Sequence, residues 1–75
     1  MSTLELIGEI TKRGWMVSFI PTAMNGEAFV CLEAQKSGAH LSVRHHADLL
    51  TEERIQLSLR SFLDGLVGQR NPPHA

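Results

Sequence analysis

The chain has 75 residues, 43% of them hydrophobic and 20% charged, with seven basic and eight acidic side chains for a formal net charge of −1. That length supports one hydrophobic core and not two, and the balance is that of a globular domain and not a disordered segment. It also lacks the basic excess by which a general nucleic-acid coat releases counterions. No apolar run approaches the ~20 residues of a membrane helix, so no membrane association is expected. Met1-Ser-Thr-Leu-Glu5 has no positive patch followed by an apolar stretch, so a signal peptide is not expected either. Cys31 stands alone and cannot close an internal disulfide, and a reducing, cytoplasmic compartment is the expectation.

Ser2 and Glu5 have the spacing of a capping box. Leu6, Ile7 and Ile10 follow at helical spacing, and Lys12, Arg13 and Gly14 suit a helix end. A first helix is therefore predicted over residues 3–13. Trp15, Val17 and Phe19 alternate with Met16, Ser18 and Ile20 as in a strand, and Pro21 is read as its stop. Asn25-Gly26 is a hairpin turn signal. A second strand is predicted over 27–34, a turn over Gln35-Lys36-Ser37-Gly38, and a third strand over 39–45. Thr51 caps a second helix, with Glu52 and Glu53 in its first turn. Ile55, Leu59, Phe62, Leu63 and Leu66 form its apolar stripe, and Gly65 or Gly68 ends it. The domain is placed at 1–68, with 69–75, which holds Pro72 and Pro73, as a flexible tail.

The order α-β-β-β-α with short turns predicts an α+β fold, a three-stranded antiparallel meander with both helices on one face. If the second turn pairs Ala34 with Ala39, then Leu32 faces Leu41, Val30 faces Val43 and Ala28 faces His45 on one side. On the other side Glu33 meets His40, Cys31 meets Ser42, Phe29 meets Arg44 and Glu27 meets His46. This register separates an apolar face from one of opposite-charge pairs, which a one-residue slip would mix. The expected core is Leu6, Ile7, Ile10, Trp15, Val17, Phe19, Val30, Leu32, Leu41, Val43, Ile55, Leu59, Phe62, Leu63 and Leu66. The open face would show Met16, Ser18, Ile20, Phe29, Cys31, His40, Ser42, Arg44 and His46, an apolar centre with a charged rim. Such a patch suits a protein interface.

The histidines and Cys31 invite a metal or thiolate reading. Adjacent strand residues point to opposite faces, however, so His45 and His46 do not share an ion, and four ligands at zinc spacing are absent. Cys31 beside His40 or His46 has no third orienting group, and a lone strand cysteine behaves as a small hydrophobe. Glu52 and Glu53 are explained by the helix dipole. No phosphate loop, zinc-protease or kinase signature is present. No catalytic residues, metal or cofactor are expected, and the chain is read as a non-enzyme.

The α-β-β-β-α order resembles the double-stranded-RNA-binding domain across nearly the whole chain. That family places lysines at the start of its second helix, where this chain reads Thr51-Glu52-Glu53-Arg54, and carboxylates there repel phosphate. The size and layout are also similar to small phage- and prophage-encoded accessory proteins, including anti-CRISPR and other anti-defence inhibitors. That resemblance implies a binder that occludes a larger host complex without catalysis. Acidic edges at Glu27, Glu33, Glu52, Glu53 and Asp64 would suit a basic nucleic-acid channel.

The leading expectation is a protein-interaction module that binds through Met16, Ile20, Phe29 and Arg44, with His40 and His46 at the rim. A nucleic-acid-binding regulator using the same face, with Phe29 stacking on a base, is the alternative. A homodimer burying Ile20 and Phe29 at a two-fold axis is the third.

Overall fold

A computed structural model describes residues 1–68. The elements run α1 (Thr3–Lys12), β1 (Met16–Met24), β2 (Glu27–Lys36), β3 (Ala39–His46), a short 3-10 turn (Ala47–Leu49) and α2 (Glu52–Gly68). The strands form an antiparallel sheet in the order β1-β2-β3, so the α+β meander expected from the sequence is present. The tail expected over 69–75 lies outside the described residues.

Local chemistry sets the element ends. The Glu5 amide donates to Ser2 Oγ at 3.1 Å, and the Ser2 amide donates to Glu5 Oε1 at 2.7 Å, closing the capping box. Arg13 caps the carboxyl end of α1, and Gly14 turns the chain at φ +87°. Asn25 and Gly26 both adopt positive φ, at 52° and 79°, the pair of left-handed residues that a tight hairpin matching the strand twist requires. The amide of Arg54 donates to Thr51 Oγ1 at 3.2 Å, so Thr51 caps α2 as its sequence position predicts.

The core is Leu6 and Ile10 from α1, Trp15, Leu32 and Ala34 from the sheet side, and Leu59, Phe62 and Leu66 from α2. Leu6, Ile10, Leu32 and Leu59 are fully buried. Each contributes about 1.5–3 kcal/mol relative to an exposed position. Val17, Val30, Leu41 and Val43 pack against this cluster, which places both helices on the sheet face that these odd-numbered β1 and β3 residues share. The helix starts are tied together: Thr3 Oγ1 donates to Glu52 Oε2 at 3.2 Å, and Gln56 Nε2 donates to Thr3 Oγ1 at 3.3 Å.

Three expectations are corrected. First, β1 does not stop at Pro21. It continues to Met24, with Pro21 opposite Val30. An edge strand tolerates proline because one row of its amides has no ladder partner to lose.

Second, Phe19 is not core. It lies on the helix side of the sheet, opposite Leu32, yet remains 41% exposed. Pro21, Ala23 and Ala28 beyond it are exposed as well, so this end of the β1–β2 hairpin extends past the helix layer.

Third, the β2–β3 register is displaced by two residues. Ala39 pairs with Lys36 and not with Ala34, Leu41 pairs with Ala34, and Val43 with Leu32. The turn is Ser37-Gly38 alone, with Gly38 at φ +78°, because a glycine that turns left-handed lets two residues do what four were assigned. A shift of two preserves which side each residue faces, so the division into two faces survives while the individual pairs change.

Candidate interaction surface

The face of the sheet opposite the helices is laid out in rows by the register. Met16, Gln35 and His40 form one row across the three strands. Ser18, Glu33 and Ser42 form the next, then Ile20, Cys31 and Arg44, then Thr22, Phe29 and His46, with Met24 opposite Glu27 at the hairpin end. Met16 is 64% exposed and Ile20 42% exposed, and Met24 is also exposed. These three residues are exposed apolar points along β1, with Ser18 and Thr22 between them.

The displaced register turns the expected cross-strand pairs into diagonals, and the side chains still meet. Nε2 of His40 lies 3.2 Å from Oε1 of Glu33, although His40 is directly opposite Gln35. Nδ1 of His46 lies 3.5 Å from Oε1 of Glu27. The Arg44 guanidinium sits over the Phe29 ring, 5.3 Å from its centroid, although Arg44 is opposite Cys31. Long side chains span the diagonal of an antiparallel pair, so the charge pairing read from the sequence tolerates the shift.

Phe29 is half-buried beneath its neighbours. The His46 ring stands 4.5 Å away, centroid to centroid and tilted by 43°, and the Arg44 guanidinium lies over the ring. Arg44 Nη1 also donates to Met24 Sδ at 3.6 Å. Arg44 makes no ion pair among the described residues. Its guanidinium is held between the Phe29 ring and Met24 Sδ.

Of the residues singled out from the sequence, Met16, Ile20, Phe29, Arg44, His40 and His46 all lie on this face. His45 lies on the other side, where its Nε2 is 2.8 Å from Ser58 Oγ and links β3 to α2. Cys31 lies beside Ile20 and Arg44, two rows from His40, which corrects the expected Cys31–His40 proximity. Met24 and Thr22 also lie on this face, beyond Pro21, where the sequence reading ends the strand. The signal was present in the unbroken even-numbered alternation running up to the Asn25-Gly26 turn.

No group of three or more His, Cys, Asp or Glu converges among the described residues. An open depression of about 530 Å³ beside the Ser37-Gly38 turn is lined by Gly14, Met16, Gln35, Lys36 and His40 among others. Lys36 is already engaged there, donating to the Arg13 carbonyl. Among the described residues, no helix is long and apolar enough to cross a membrane. No protein-family model, curated protein or solved structure matches the chain.

Proposed function

We propose that the chain is a non-enzymatic protein-interaction module whose contact surface is the bare face of the sheet. The observation that carries this reading is the pair of exposed apolar residues Ile20 and Met24 on the same face as Arg44, an arginine over the Phe29 ring and without a carboxylate partner among the described residues. Apolar anchors flanked by a preorganised arginine are the composition from which binding hot spots are made. The matching partner surface is apolar at its centre and carries a carboxylate that reaches Arg44. Phe29 is half-buried and already engaged by Arg44 and His46, which favours a protein over a nucleic acid whose bases would compete for the ring. A module of this kind acts by occupancy, and the small α-β-β-β-α layout supports an inhibitor that occludes a larger complex.

The test is an affinity capture from a bacterial lysate, with and without nuclease, using the wild-type chain, Arg44→Glu and Ile20→Asp as baits. The expected result is a stoichiometric protein that survives nuclease and is lost with Arg44→Glu. Partners that vanish with nuclease, or that Arg44→Glu and Ile20→Asp both retain in full, overturn the reading.

A further inference from the structure

The sheet has two edges, and they differ. β1 carries Pro21 within the strand, which removes a donor and blocks a continuous ladder on that side. β3 carries no such protection. It runs eight residues, Ala39–His46, with no proline, glycine, lysine or carboxylate, and its pairing with β2 is unbroken by any bulge. Its outer row of backbone donors and acceptors has no strand beside it among the described residues. Such an edge is a template for another strand.

Beside this edge, on the helix side, lies a groove of about 210 Å³ lined by Val43, Leu57, Ser58, Ser61 and Phe62. Leu57 is 59% exposed at its rim, an apolar side chain that packs on nothing in its own chain to the degree its neighbours Leu59 and Phe62 do. Ser58 and Ser61 are small and leave room for close approach. One helix thus presents both a protruding leucine and a recess beside the unprotected strand.

The sequence of β3 says what fits there. Laid antiparallel against itself about Ser42, the strand sets Ser42 opposite Ser42, with Leu41 opposite Val43 on the helix side. Leu41 and Val43 are only half-buried in the single chain, and each would meet an apolar partner. A two-fold axis through this point would also bring Leu57 of each copy toward the groove of the other. We infer that a second copy of this chain pairs with the free edge of β3, antiparallel about Ser42, joining the two sheets into one continuous sheet with both helix layers on the same side.

This inference stands apart from the reading of the bare face, and its tests separate the two. Sedimentation velocity of the full chain across a concentration series should show a monomer–dimer equilibrium. Leu57→Glu, which lies on α2 and not on the bare face, should shift that equilibrium to higher concentration. The positive test is Ser42→Cys in a Cys31→Ser background. Opposed residues of an antiparallel pair have Cα atoms about 4.5–5.5 Å apart, within the range a disulfide spans. Mild oxidation should therefore yield a covalent dimer that reduction reverses. A chain that stays monomeric at every concentration overturns the inference, as does a dimer unmoved by Leu57→Glu, or an absence of cross-linking in a Ser42→Cys protein whose circular dichroism shows it folded.

Discussion

The ammonium of Lys36, the last residue of β2, donates to the carbonyl of Arg13 at 3.0 Å, joining the end of a central strand to the end of α1 across 23 positions in sequence. A cation at that place meets the partial negative charge of a helix carboxyl terminus. The Lys36 side chain also occupies the space over Gly14: a Cβ there would lie 3.3 Å from Lys36 Cε. Gly14→Ala therefore combines a left-handed backbone, worth about 1–2 kcal/mol for a residue with a Cβ, with displacement of this contact. The expected outcome is a loss of melting temperature of roughly 4–8 °C per kcal/mol for a domain of this size, read by calorimetry. Lys36→Met should cost less, about 0.3–1 kcal/mol, since it removes the ammonium's interaction with the helix end and keeps the side-chain packing over Gly14.

Acid should loosen α1 first. The backbone and side-chain hydrogen bonds from Ser2 hold the Glu5 carboxyl below its ordinary range, and contacts with Lys12 and then Arg13 do the same for Glu9. A carboxylate whose folded pKa is depressed contributes stability above its unfolded pKa and loses it as pH falls through the folded value. The urea midpoint should therefore drop as pH is taken below the ordinary glutamate value of about 4.3. Ser2→Ala, which costs about 1 kcal/mol at neutral pH through loss of the cap, should show a smaller acid dependence than wild type. An acid dependence unchanged by Ser2→Ala would remove the capping box as its source.

Leu32 lies at the centre of β2, fully buried between the sheet and the helices. Truncation to alanine costs about 2–5 kcal/mol at such a site. A single core in a chain this short rarely supplies more than about 3–5 kcal/mol in total. Leu32→Ala is expected to be largely unfolded at room temperature by circular dichroism, whereas Leu57→Ala, at an exposed position, should melt within a few degrees of wild type.

On the bare face, Arg44→Glu and Ile20→Asp should each abolish partner capture while leaving the melting curve close to wild type, because both side chains are exposed. Phe29→Ala should lose binding and stability together. Its ring supports both Arg44 and His46, and removing it leaves those two side chains without their packing partner. Equal melting temperatures for Phe29→Ala and wild type would show that this support is dispensable.

Much of this arrangement is legible in the sequence. The Ser2–Glu5 spacing, the Thr51 cap and the stripe from Ile55 to Leu66 are local signals, and local physics places them correctly. The assignment of residues to the two faces also follows from alternation alone. What alternation cannot supply is the pairing itself, since a displacement of two residues leaves every side chain on its own face; only the geometry of Ser37-Gly38 decides it. Pro21 misled for a related reason. Proline breaks a strand that must donate on both sides, and whether β1 is central or at an edge is a property of the assembled sheet, invisible from the residues around it. Phe19 was placed in the core by its parity, but burial also requires a helix overhead, and the hairpin outruns the helices.

The proline in β1 carries a consequence for stoichiometry. A sheet that can grow at both margins has no intrinsic end, and copies added one after another make a fibre. Here one margin is interrupted at Pro21 and the other is intact. If two intact margins join, the margins that remain are the two interrupted ones, which disfavours growth beyond a pair. If copies pair through β3 as inferred, this single ring-closed residue marks the margin at which the joined sheet resists a further copy.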